Sequence, residues 1–123
     1  KTLRELLDVL STFDIDPGFQ QPIEEAFARL VRVTDSMVAR SNEDANLPGA
    51  VSTDYLDLMG TTLCAWAWGV MVRKAGDDEF GTAKKQTARF FFARLLPRTI
   101  GLEHSMLADS DVLMDMPEGL FNA

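Results

Sequence analysis

Few side chains in this sequence have the type and spacing that chemistry demands. His104 is the only histidine and Cys64 the only cysteine. A helical di-iron centre needs paired Glu-x-x-His helices, but here Glu103 and His104 are adjacent and point about a quarter turn apart. No second histidine or thiol exists to complete a transition-metal site. A serine or cysteine nucleophile needs a base. Only His104 could serve, and nothing singles out a nucleophile beside it. His104 therefore reads as a surface or helix-end residue, and Cys64, within the most apolar helix, as an inert core thiol. Glu24-Glu25 and Asp77-Asp78-Glu79 are carboxylate clusters, but each falls where a helix should begin and where acid complements the helix dipole. Gly76 and Gly81 flank acids that would repel phosphate, so they do not form a phosphate loop. No catalytic, cofactor-binding or metal-ligating residue is assigned.

What the sequence offers instead is apolar bulk in two places. Tyr55 to Val72 reads YLDLMGTTLCAWAWGVMV and Ala88 to Pro97 reads ARFFFARLLP. Both are helical in character and apolar nearly all round, so each must be covered on every side, by the rest of a bundle or by a partner. Trp66 and Trp68 are two residues apart and point to nearly opposite sides of a helix. Either both belong to the bundle core, or one faces a partner domain or subunit, where tryptophan is enriched. The same choice applies to Phe90, Phe91 and Phe92. Trp66, Trp68, Phe90 and Phe92 are accordingly the candidate interface residues. Gly60, Cys64, Ala65, Ala67 and Gly69 thin the first helix and let a neighbour approach closely.

The remaining pattern predicts four helices and a tail. Leu3, Leu6, Leu7 and Leu10 mark one face of the first, with Thr2 and Glu5 as a capping box. Asp14 to Gly18 ends it. Pro22 suits the first turn of a second helix, whose inner face is Ile23, Phe27, Leu30, Val31, Thr34 and Val38, with Arg29, Arg32 and Arg40 outward. Ser41 to Ser52 reads as a loop, with Ser52 or Thr53 capping a third helix that runs to about Ala75. Gly76 is its expected left-handed stop. Asp77 to Glu79 opens a fourth, carrying Phe80, Ala83, Thr87, Phe91 and Leu95 and running to about Leu107, with a kink where Pro97 interrupts it. Ala108 to Ala123 should be a tail whose apolar residues dock on the bundle. The expected fold is all-α: an up-and-down antiparallel bundle of about four helices.

Composition narrows the class further. With 123 residues, one domain spanning 1–123 is the default, long enough to bury a core. The net charge of -7 argues against nucleic acid and against an anionic membrane surface. A single cysteine points to a reducing compartment, the cytoplasm. Leu58 to Val72 is the longest uncharged run and falls short of the ~20 residues a spanning helix needs. Lys1 to Asp8 is charged and amphipathic, unlike a signal peptide. The chain starts at Lys1 without methionine and is expected to be a piece of something longer.

Two stretches carry a family resemblance. Ser52 to Gly60 followed by Trp66-Ala67-Trp68, and Thr82-Ala83-Lys84-Lys85 leading into Thr87 to Pro97, resemble the extra C-terminal domain of the large acyl-CoA dehydrogenases. Asp111 to Pro117 also looks like that family's ending, and the likeness covers most of the chain. A phenylalanine at 91 or 92 stands where the family typically has tyrosine. The resemblance implies a helical bundle that follows a dehydrogenase core. In that core FAD and an acyl-CoA thioester bind, a glutamate removes the α-proton and a hydride passes to flavin. None of those residues maps onto this chain. The implied partners are the core of the same parent chain and further copies in a homo-oligomer. The implied role is non-catalytic: packing, shaping the substrate cavity, or subunit contact. The rival reading is a freestanding helical module that binds a protein through Trp66, Trp68 and Phe90; an enzyme in its own right finds little support.

Overall fold

The computed structural model describes residues 2–41 and 47–108, with side chains over 2–40 and 52–108. The expected tail over 109–123 lies outside the described residues. Those described are helical and carry no strand. Helix α1 (Leu3–Leu10) begins with the expected capping box: the Glu5 amide donates to the Thr2 hydroxyl at 3.2 Å and the Thr2 amide to the Glu5 carboxylate at 3.1 Å. A single 3-10 turn (Pro17–Phe19) leads directly into α2 (Gln20–Ser41), so Pro22 falls in that helix's first turn, where its missing N–H costs little. Helix α3 (Leu47–Lys74) is the longest element. Asp78 caps α4 (Glu79–Phe90) by accepting from the Gly81 amide at 2.8 Å.

The expected break at Pro97 takes a definite form. Proline removes one N–H and crowds the carbonyl one turn back. The backbone answers with a π-helical turn over Phe91–Leu95, in which the Leu96 amide reaches the Phe91 carbonyl at 2.9 Å. Helix α5 (Arg98–Leu107) then starts afresh, so the fourth predicted helix is two α-helical segments separated by the π turn.

The chain runs up and down. Thr34 meets the Tyr55 hydroxyl at 2.7 Å near one end of the α2–α3 pair, and Ile23 meets Gly69 near the other. The α3–α5 pair is antiparallel as well, with Ser105 donating to Asp54. One buried cluster gathers Leu7, Ile23, Ala26, Phe27, Ala65, Phe91 and Leu96. A second gathers Leu30, Val33, Leu58 and Met106. Buried Thr62 and Thr99 return their hydroxyl protons to carbonyls of their own turns at 2.8 and 2.7 Å.

Several expectations fail for reasons that can be named. The Ser41 to Ser52 loop is shorter than its polar composition suggests: α3 already begins at Leu47, Pro48 is tolerated in its first turn, and Ser52 and Thr53 lie inside the helix rather than capping it. Gly76 is not left-handed, since no described glycine has a positive φ. Among the described side chains, Leu6 and Val38 are exposed, and α2 buries Ala26 and Val33 instead, about 40–60° round the helix from the expected edge. Phe80, Ala83 and Thr87 face outward because α4 packs through its small residues Gly81 and Ala88. A Cβ on Gly81 would run into the Gly76 carbonyl oxygen, a contact that only glycine avoids. Neither apolar segment is wrapped on every side: Leu56, Met71 and Phe90 are exposed.

The buried stripe of α3 is Leu58, Thr62, Ala65, Gly69 and Val72, a run of mostly small residues at helical spacing. At Gly69 the approach is tightest. A Cβ there would meet Ile15 at 2.6 Å and Ile23 at 2.7 Å, and the Asp16 amide donates to the Gly69 carbonyl at 3.1 Å. Gly60, on the opposite flank, has nothing within 4 Å of a built Cβ. Gly69→Ala should therefore destabilise, since overpacking costs about 1–3 kcal/mol against a gain in helix propensity of about 1. Gly60→Ala should stabilise by about 0.5–1 kcal/mol. Urea midpoints of the two variants moving in the same direction would contradict this packing.

Candidate functional site

The open flank of α3 forms one wall of a groove. Leu56, Gly60 and Cys64 follow one another at four-residue spacing along it, and the opposite wall is Phe91, Leu95, Arg98 and Leu102, from the π turn and α5. The groove encloses about 290 Å³. Its floor is apolar, with Asp57 on the α3 side, held by a Thr61 hydroxyl at 3.3 Å, and Arg98 on the other. Leu56, at 71% exposure, stands at its mouth. Cys64 is exposed here rather than buried as an inert core thiol. Its position falls on the row that runs through Gly60, turned away from the buried stripe that includes neighbouring Ala65.

The four candidate interface residues separate. Trp66 donates its indole N–H to the Leu10 carbonyl at 2.9 Å, satisfying one of the orphan acceptors at the end of α1, and Phe13 meets its ring edge-on at 5.2 Å. Phe92 stacks on Phe19 with centroids 4.1 Å apart. Trp66, Trp68 and Phe92 are partly buried against the same core cluster. Phe90 alone of the four points outward, at 57% exposure. His104 is exposed in the last turn of α5. Among the described residues no three His, Cys, Asp or Glu side chains gather as a metal site, and no helix is long and apolar enough to cross a membrane.

A second groove, of about 340 Å³, lies between α1 and α2. Neither groove fits a flavin dinucleotide. Both sit at the lower end of the roughly 300–1,000 Å³ that drug-sized ligands occupy, and FAD is larger.

The most perturbed charge lies on the far side of α5. Arg29 and Arg32 were expected to look outward, yet both reach Glu103, at 3.3 and 2.8 Å. Arg29 also donates to Thr99 at 3.1 Å. Arg40 turns the same way and donates to the carbonyls of Met106, Leu107 and Ala108, closing the C-terminus of α5. One turn apart on α2, Arg29 is largely buried beside α5 while Arg32 reaches Glu103 from the exposed rim. Nothing in local spacing signals a partner some seventy positions away. The hydrogen bond from Arg32 pulls the Glu103 carboxyl below its usual range; burial opposes this, and the charges of Arg32 and Arg29 reinforce it. The same bond raises the Arg32 guanidinium further.

Because the folded value of Glu103 is depressed, its contribution is fully present above the unfolded value of about 4.3 and is lost as pH falls through the folded one. Glu103→Gln should cost roughly 1–3 kcal/mol near neutrality, and the gap should close toward acid as the native carboxyl takes up its proton. Urea unfolding across that range checks this; an unchanged gap in strong acid would contradict it.

Comparison with known proteins places this helical domain. The family described as acetyl-CoA dehydrogenase C-terminal like matches residues 9–117, from the end of α1 through α5 and beyond. No curated protein and no solved structure matches. The matched span covers most of the sequence, and the chain belongs to the acetyl-CoA dehydrogenase C-terminal-like family.

Proposed function

We propose that this chain serves as the non-catalytic C-terminal helical domain, a single unit over 1–123, of an acyl-CoA dehydrogenase-like flavoenzyme. In this reading the parent oxidises an acyl-CoA thioester between its α and β carbons. FAD and substrate bind in a core that precedes the domain in the parent chain, in the cytoplasm. The bundle packs on that core, shapes its cavity or contributes contacts between subunits of a homo-oligomer. The family match over 9–117 carries the proposal. Two features of the surface support it. Phe80 and Phe90 on α4 are largely exposed and available for apolar contact with a neighbouring domain. The largely buried carboxylate of Glu103 is paired with Arg29 and Arg32 and joins α2 to α5, a structural use of charge.

The test compares the natural open reading frame that contains this sequence with the chain of residues 1–123. The longer protein is expected to purify yellow and to reduce a dye acceptor when given acyl-CoA thioesters, while the 1–123 chain shows neither flavin absorbance nor turnover. Stoichiometric flavin retained by the 1–123 chain, or a reading frame without a flavoprotein core, would overturn the proposal.

A further inference from the structure

We infer that the groove between α3 and α5 is a docking site for the acidic, apolar segment that follows it in this same chain, Asp111 to Phe121. The inference stands apart from the proposed function and needs no parent enzyme. It rests first on the shape and chemistry of the groove. Leu56, Gly60, Leu95 and Leu102 give it an apolar floor, Gly60 leaves empty space where a Cβ would stand, and exposed Arg98 sits on the α5 wall. An occupant that fits must bring apolar side chains and at least one carboxylate; Asp57 on the facing wall disfavours further negative charge there.

The segment after α5 has that composition. Val112, Leu113 and Met114 lie between Asp111 and Asp115, followed by Met116, Leu120 and Phe121. Its charge is of one sign, opposite to that of Arg98. Its tether also lies on the correct side. Helix α5 ends at Leu107, and Ser105 donates to Asp54, two residues of α3 before Leu56 at the groove mouth. From Leu56 to Cys64 the groove spans about 12 Å at the helical rise. A chain of the length from Asp109 to Ala123 reaches about 20 Å even if helical and about 50 Å if extended, so it spans the groove with slack. A tethered segment acts at millimolar effective concentration, so modest apolar contact suffices to hold it. A second copy of the chain or a separate protein would have to bind without that advantage.

Cys64 provides the test, because it is the only thiol and lies on the groove wall. With the segment docked, an aromatic disulfide reagent should react with Cys64 about tenfold more slowly in the full chain than in Leu113→Asp/Met114→Asp, the open form being a minor state of up to ~10%. Circular dichroism must match between the two, which separates undocking from unfolding. Arg98→Glu should raise the rate likewise, and adding Asp111→Arg and Asp115→Arg to it should restore protection. Equal rates in all these chains would overturn the inference, as would protection that grows with protein concentration, the mark of a second copy in the groove.

Discussion

The structure depends on one close approach. The Asp14–Gly18 link and the start of α2 lie against α3 at Gly69, where α3 presents no side chain, Ile15 and Ile23 fill the space and the Asp16 amide bonds to the helix backbone itself. That contact fixes the register of the α2–α3 pair. From it follow the burial of Ile23, Phe27 and Leu30 on one side and of Thr62, Ala65 and Leu58 on the other. Small residues on α3 make the approach possible, and the larger aliphatic and aromatic side chains of its neighbours fill the space. Burying each such side chain contributes about 1.5–3 kcal/mol, against a net stability of about 5–15 for a domain of this kind.

A second constraint orients the C-terminal rod. Pro97 prevents a straight helix from Glu79 to Leu107, and the π turn before it turns Phe91 inward while leaving Phe90 outside. Helix α5 is then held from α2 by three arginines. Two meet Glu103, and the third takes the carbonyls that a helix end leaves without donors. This polar seam complements the apolar contact at Gly69: one sets depth, the other sets orientation. Between them the described helices leave the outer flank of α3 open, and the groove at Leu56, Gly60 and Cys64 is the consequence.

Much of this was legible in the sequence. The helical class, the capping box at Thr2, the acidic start of α4 at Asp77 to Glu79 and the break at Pro97 follow from local chemistry, because each involves residues within one or two turns. The family was legible too, through Ser52 to Gly60 and Thr87 to Pro97. What escaped was non-local. Composition could not reveal that α3 starts at Leu47, since a proline in a first turn and a proline in a loop look alike. The apolar richness of Tyr55 to Val72 concealed an open flank: hydrophobicity all round implied full enclosure, whereas Leu56 and Cys64 face outward. Arg29 and Arg32 look like ordinary surface charges until α5 supplies Glu103. The groove itself could have been suspected from the four-residue spacing of Leu56, Gly60 and Cys64, but its second wall comes from a helix thirty or more positions away.

The central claim, that the α2–α3 contact around Gly69 is the most stable part of the molecule and holds the rest, is open to a direct measurement. Native-state hydrogen exchange reads the opening free energy of each amide. Amides from Thr62 to Val72 should exchange only through global unfolding, while those of α1 and α4 open at lower cost. Amides near Gly69 that exchange by local opening while α4 remains protected would contradict it.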